Sequence, residues 1–348
     1  MKRKSTAWPH YACDWSSASF CTLAVGSFLP SSHNYIQVLS LPSPSSSEFQ
    51  VTVDALPIEY VATKLLWSPG KLKGGEYLAA SGDGVYIWKV GEPGYTLTGR
   101  LVSRQTPRRA SEDFGAMDRN GDTNPPAPVT SFDWNKLDPT LLVTASYDTT
   151  CTVWCLETGS IRTQLIAHDK EVFDVSFSPV STDTFVSVGA DGSLRLFDTR
   201  TLDHSTIIYE SADARPLLRV QWNPNDPNYL ATFAADSSKA VVMDIRMPSV
   251  PAAELMDHSG PVVALRWSPS SSSHIMTADE NTLRLWDLAE YDKLPGCKWA
   301  FEGSSLAMAE NGTDSMLDPV PLQSILWTAS SPDWIGVTST DQITIMRI

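Results

Sequence analysis

Seven times along this chain a short alternating run ends in an aromatic residue followed by a turn: DWSS, LLWSP, FDWNKLDP, VSFSP, VQWNPNDP, LRWSP and ILWTASSP. The anchors are Trp15, Trp67, Trp134, Phe177, Trp222, Trp267 and Trp327. About 20 residues past each anchor comes a second alternating run, from YIQVLSL in the first unit to ITIMRI in the last. Alternation of apolar and polar residues reads as β-strand. Its recurrence every forty to fifty residues or so means repeated sheets that stack on one another. A four-stranded sheet with two apolar faces cannot cover both by itself, so neighbours must pack around an axis. The expectation is an all-β, seven-bladed β-propeller.

At roughly 45 residues per blade, seven blades and modest insertions account for all 348 residues as one ring, monomeric and without a second domain. Blades are expected near 9–56, 57–102, 129–168, 169–211, 212–258, 259–303 and 321–348, the last completed by residues 4–8. The net charge of -14 and the lack of a basic stripe argue against direct nucleic-acid binding. Met1-Lys2-Arg3-Lys4 is followed by STAWPHYACDW, not by the apolar core of a signal peptide. FCTLAVGSF is too short to span a membrane and reads as the second strand of blade one. Five cysteines without a CxxC pair suggest neither a zinc site nor a disulfide framework, which fits a reducing cytoplasm or nucleus.

Blade four is the clearest unit, with strands expected at Val172–Phe177, Phe185–Val188, Leu194–Phe197 and Ser205–Tyr209. Ala190-Asp191-Gly192 is the tight turn between its second and third strands, where positive φ is tolerated. Asp191 lies six residues before Phe197, and Asp148 of blade three stands at the same offset before Trp154. In repeats of this kind an Asp there joins a loop His, a second-strand Ser or Thr and a Trp indole. Blade four offers His168, Ser187 and Asp191 with Phe197 in place of Trp. Blade three offers Thr144, Asp148 and Trp154 without a His. Blade six offers His258 and Trp286 with Glu280 at the aspartate offset, so no blade is expected to hold all four. Partial networks would leave stability mainly to apolar stacking.

The chain ends on the third strand of blade seven, so that blade needs a fourth strand. Lys4–Trp8 is the spare extended piece and is expected to pair with Ile343–Ile348, closing the ring. Residues 103–128 carry charges of both signs and four prolines, which marks a disordered insertion, and 303–319 reads as a similar loop. Residues 40–48 read as a Ser/Pro-rich hairpin tip. Arg108–Ser111 forms a weak basophilic kinase signal, and Asn311-Gly312-Thr313 a chance glycosylation match.

The chain carries no Gly-rich phosphate cradle, HExxH, GxSxG or His/carboxylate cluster at ligand spacing, so no catalytic, cofactor-binding or metal residue is assigned. His168 and His258 precede inner strands at matching places and read as structural. His10, His33, His204 and His274 stand alone at strand ends or turns. A propeller offers instead a rigid ring that binds protein partners at little ordering cost. Four residues before the anchors, at the mouth of the wider face, stand Thr63, Thr130, Phe173, Leu218, Val263 and Gln323. This rim reads as largely apolar, with Phe173 and Leu218 as anchors for a partner, or with Phe173 packed under its own loop.

Beyond the repeat, TSFDWN, TASYDTTCTVWCLETG, TQLIAHDKEVFDVSFS, SVGADGSLRLFD, LDHSTIIYE, DPNYLAT and the closing PDWI resemble the WD-repeat family that includes plant Transparent Testa Glabra and Light-regulated WD proteins and the animal adaptor of DYRK-type kinases. The resemblance spans nearly the whole chain and is strongest over 130–232. It implies a non-catalytic scaffold in cytoplasm and nucleus that assembles MYB- and bHLH-type transcription factors or DYRK-type protein kinases. A second reading comes from Phe197-Asp198-Thr199-Arg200 and Met243-Asp244-Ile245-Arg246. They resemble the Asp-x-Arg ending by which many WD-repeat proteins dock on the adaptor of the cullin-four ubiquitin ligase. Arg200 and Arg246 of adjacent blades would then share the narrower face, where each could equally pair with its own Asp.

Overall fold

A computed structural model describes residues 1–103, 127–289, 296–302 and 321–348, apart from 19, 20, 31, 32, 44, 45, 47, 71, 73, 74, 92, 93 and 203. The 303–319 loop, all but the ends of the 103–128 insertion, Arg108–Ser111 and Asn311–Thr313 lie outside the described residues. The described residues form 28 strands in seven four-stranded antiparallel sheets. In blade four the strands are Val172–Phe177, Thr184–Gly189, Ser193–Asp198 and Thr206–Glu210, running in chain order from the inside of the ring to its rim.

Blade seven takes its outer strand from the other end of the chain. Lys2–Ser5 pairs antiparallel with Gln342–Arg347, with Lys2 opposite Ile345 and Ser5 opposite Gln342. The strand stops short of the expected Lys4–Trp8 because its partner begins at Gln342, opposite Ser5, and the next bond, from the Thr6 amide to the Asp341 carbonyl at 2.8 Å, already reaches the turn before that strand. Trp8 then leaves the seventh sheet and packs on Tyr35 of blade one, ring centroids 6.2 Å apart. Pro9, which has no amide proton to give a ladder, follows immediately.

Among the described residues the core is not one mass but seven clusters, one at each blade junction. All seven anchors are buried, Trp134 and Trp267 to 2% exposure. Each points toward the preceding blade: Trp67 packs with Ile36 and Leu56 of blade one, Phe177 with Leu141 and Val153 of blade three, and Trp15 with Leu326 and Ile343 of blade seven. Burying one such apolar side chain contributes roughly 2 kcal/mol, against about 1 kcal/mol net for a hydrogen bond, so stacking dominates each junction.

Hydrogen bonds add direction to that stacking. The innermost strand has no strand beside it on the channel side, so its amides need other partners. The residue before the anchor in one blade accepts the anchor amide of the next: Asp14 Oδ2 from Trp67 at 2.8 Å, Asp133 Oδ2 from Phe177 at 2.7 Å, and Gln221 Oε1 from Trp267 at 2.7 Å. The anchor indoles use two further solutions. Where a proline stands five residues on, as in WNKLDP, WNPNDP and WTASSP, Trp134, Trp222 and Trp327 donate to that prolyl residue's carbonyl. Where the turn is the shorter WSP, Trp67 and Trp267 donate to Asp14 and Gln221 carbonyls of the preceding blade.

The His-Asp networks lie on the face where inner strands begin. In blade four His168 Nδ1 meets Asp191 at 3.0 Å and its Nε2 meets the Ser187 hydroxyl at 2.7 Å, while Phe197 stacks on Phe185. Gly192 has φ +80°, and a Cβ there would stand 2.7 Å from Ser211 Oγ and 2.9 Å from the Arg215 carbonyl, so only glycine closes this turn. In blade three Trp154 donates to Thr144 Oγ1 at 3.1 Å, and Asp148 serves its own turn by accepting from Thr150. Blade six corrects the sequence reading, because it holds all four members and its aspartate is Asp279, not Glu280. His258 Nδ1 meets Asp279 at 3.1 Å, its Nε2 meets Thr277 Oγ1 at 2.6 Å, and Trp286 Nε1 donates to the same hydroxyl at 2.7 Å. Asp279 stands two residues after Thr277 and seven before Trp286, whereas Asp191 stands four after Ser187 and six before Phe197, so a fixed offset of six from the third-strand aromatic lands one position late. Burial acts to raise the Asp279 carboxyl, but the amides of Asn281 and Thr282, the Thr282 hydroxyl and His258 outweigh it and hold the group below the usual carboxylate range.

Three outcomes follow from this architecture. Deleting residues 1–5 uncovers the edge of Gln342–Arg347; it lowers the melting temperature by several degrees and produces dimers on size exclusion, and a monomer of unchanged melting temperature would contradict the closure. Thr277→Val removes the shared partner of His258 and Trp286 and costs roughly 2–4 kcal/mol, more than Ser187→Ala, which removes the His168 bond and a weaker one with the Cys151 thiol; urea unfolding of the two variants checks the order. His10 is buried at the seam between blades seven and one, and desolvation lowers its pKa to about 4, with Asp341 pulling weakly the other way. The unfolded chain therefore takes up this proton near pH 6.5 and the folded chain does not. Stability is fully present above that pH and falls by about 3 kcal/mol as pH drops to about 4. His10→Leu should remove that part of the acid sensitivity in pH-dependent denaturation curves.

Candidate functional site

The inner strands enclose a channel of about 740 Å3. Thr63, Leu218, Val263 and Gln323 line it, whereas Thr130 and Phe173 are not among its lining residues. The five residues from Thr130 to Gln323 in the expected rim share a backbone feature. The ladder between first and second strands skips a residue in blades three to seven, between Val129 and Ser131, Val172 and Asp174, Leu217 and Arg219, Val262 and Ala264, and Leu322 and Ser324. The skipped residues are Thr130, Phe173, Leu218, Val263 and Gln323. A bulged residue is left out of the ladder and its side chain is re-aimed, which breaks the alternation that would otherwise place it.

Part of this rim is spent on the ring itself. Thr63 Oγ1 lies 2.6 Å from the Thr130 carbonyl, and Thr130 Oγ1 donates to the Val172 carbonyl at 2.5 Å, linking blades two, three and four. Phe173, Leu218, Val263 and Gln323 are half-buried. Tyr11, four residues before Trp15, is the blade-one counterpart that the sequence reading passed over although the same offset marks it. It is 40% exposed, packs on Phe28 at 6.0 Å, and its hydroxyl accepts from Arg219 of blade five at 3.2 Å across the channel.

Below the rim the channel is charged where an apolar mouth was expected. Side chains one and three residues before the anchors point inward, and these include Asp14, Lys64, Asp133, Asp174, Arg219 and Arg266. Lys64 of blade two binds Asp174 of blade four at 2.9 Å, and Arg266 of blade six reaches Asp14 of blade one at 3.6 Å, so each strut spans an intervening blade. Burial works to raise Asp174, yet Lys64, Arg219 and the Ser131 hydroxyl prevail and hold its carboxyl low. Asp14 and Asp133 are raised, because for them burial outweighs Arg266 and Lys64 respectively. Among the described residues no group of three or more His, Cys, Asp or Glu side chains could hold a metal ion.

The opposite face carries the turns after the third strands. There Arg200 grips Asp198 through Nε at 2.9 Å and Nη2 at 2.6 Å, and Arg246 grips Asp244 with the same two distances. In both, the Arg amide also donates to the Asp carboxylate at 2.9 Å. The hydrogen bonds from Arg200 pull Asp198 down to about 2, and Arg246 lowers Asp244 likewise. Both guanidinium groups remain largely in solvent, with side chains 69% and 58% exposed, so the local pair fixes each without hiding it.

The family model described as "WD domain, G-beta repeat" matches residues 121–155, 159–198 and 249–287. A DDB1- and CUL4-associated factor 7 homolog of Dictyostelium discoideum is 41% identical over 351 residues, which cover 99% of this chain and 97% of the relative. An uncharacterized WD repeat-containing protein of Schizosaccharomyces pombe is 36% identical, covering 93% of this chain and 78% of the relative. A WD repeat-containing protein of Saccharomyces cerevisiae is 33% identical, covering 97% and 70%. The repeated sheets, the aromatic anchors and a likeness that runs almost from end to end agree: the chain belongs to the WD40 repeat family.

Proposed function

We propose that this ring is a non-catalytic interaction platform that docks on the DDB1 adaptor of a cullin-four ubiquitin ligase and holds a protein client on its other face. The observation that carries the reading is the 41% identity, over 99% of the chain, to a relative whose name records association with DDB1 and CUL4. The geometry agrees with it. Arg200 and Arg246 occupy equivalent corners of adjacent blades, each held in one orientation by its own carboxylate and each exposed. A guanidinium fixed in this way loses little freedom on meeting a pair of acceptor oxygens.

The clients belong to the broader scaffold reading. Transcription factors of the MYB and bHLH type, or DYRK-type kinases, would sit at the channel mouth around Tyr11, Phe28 and Leu218, in cytoplasm or nucleus. The support for these clients is the family resemblance of the sequence. Both roles coexist because they use opposite faces.

The adaptor reading is tested with the double variant Arg200→Ala, Arg246→Ala. Pull-down of purified DDB1 should fall roughly tenfold or more, with an unchanged circular dichroism spectrum. Equal capture by the double variant and the native chain would rule out this docking mode.

A further inference from the structure

The two arginine corners are not equivalent in their surroundings. Arg246 lies over the ring of Tyr229, guanidinium carbon to centroid 5.8 Å, and its Nη2 is 3.4 Å from the Tyr229 hydroxyl. Tyr229 stands there because it opens the second strand of blade five directly opposite Asp244 in the ladder. At the matching place in blade four, opposite Asp198, stands Thr184, which offers no ring.

The segment after Arg246 is also built differently. Met247 donates its amide to the Asp244 carbonyl at 3.0 Å, as Thr201 does to Asp198. From there Ser249 takes φ +75°, a left-handed conformation uncommon for any residue but glycine, and its amide donates to the Ile208 carbonyl on the outer strand of blade four at 2.7 Å. This cross-blade bond bends the 245–250 loop against blade four and leaves Met247 67% and Val250 64% exposed beside Arg246. Two large apolar side chains held in water next to a stacked, immobilised arginine have the composition of a binding hot spot, in which Arg is enriched and an apolar border excludes water. Strain is retained in a loop whose tip buries neither Met247 nor Val250, so the fold itself gains no burial from them.

We infer that the blade-five corner, made of Arg246 on Tyr229 with Met247 and Val250 beside it, is the principal contact for the ligase adaptor, and that the blade-four corner at Arg200 is secondary. The inference rests on the proposed docking to DDB1 and assigns its energetic centre. The partner patch it fits is an acceptor pair, a carboxylate or two carbonyl oxygens, ringed by apolar surface. Tyr229 is a positioning residue that acts through Arg246.

Affinities of single variants of the full-length chain for purified DDB1 decide the matter, with melting temperatures recorded in parallel. Met247→Asp and Arg246→Ala should each weaken binding about tenfold or more, and Arg200→Ala, or Leu202→Asp at the exposed apolar side chain two residues past Arg200, less than about threefold. Tyr229→Leu should weaken it about threefold to tenfold and Tyr229→Phe should restore most of the loss, since the ring face is what attracts the cation. A merely structural tyrosine would lower the melting temperature and leave affinity per folded molecule intact. If Leu202→Asp and Arg200→Ala cost as much as their blade-five counterparts, or if Met247→Asp binds like the native chain, the assignment is wrong while docking to DDB1 stands. If the native chain itself fails to bind DDB1, the docking reading and this assignment both fall.

Discussion

Everything in this molecule follows from a sheet that is apolar on both sides. One blade can bury one face against one neighbour, so an open row always ends on two wet apolar surfaces, and closing the row removes both. The first anchor, Trp15, completes the circle by packing on Leu326, Ile343 and Ile345 of the last blade. The strand Lys2–Ser5 then supplies the ladder partner that Gln342–Arg347 lacks. Its three basic side chains also blunt the outer edge of that sheet against pairing with another chain, which is how exposed edges are commonly protected.

The junctions all face one way. Every anchor looks toward the preceding blade, and the polar residues Asp14, Asp133 and Gln221 reach forward to the next. Each blade is thus the template for the following one, and a fault in an inner strand is felt one blade later in the chain. The struts from Lys64 to Asp174 and from Arg266 to Asp14 act at longer range and brace the channel across an intervening blade.

What could be read from the sequence was whatever obeys a fixed period. The anchors, the strand alternation and the use of the N-terminus to complete blade seven depend on apolar spacing and on one missing strand, and both are visible in the letters. What was missed lies where the period breaks. Asp279 was overlooked because it sits directly at the end of the second strand, seven residues before Trp286, where Asp191 is six before Phe197. The tilt of Thr130, Phe173, Leu218, Val263 and Gln323 depends on a bulge that leaves no mark in any single blade, although its recurrence four residues before the anchor is a pattern the aligned repeats display. The charged channel was legible in principle: the positions one and three before the anchors hold Asp14, Lys64, Asp133, Asp174, Arg219 and Arg266. The Asp-x-Arg pairs were visible as letters, but the ring beneath Arg246 was not, because Tyr229 meets it only through strand register.

The carboxylate that clasps each exposed arginine has a consequence for how a partner finds this face. Paired so closely, the guanidinium projects almost no monopole field beyond its own corner, on a protein whose net charge is -14. Long-range attraction of an acidic surface by these two corners is therefore weak, and a partner docking here would gain little encounter rate from them. Discrimination is left to the last few ångströms, where directional N–H groups either find acceptors or do not.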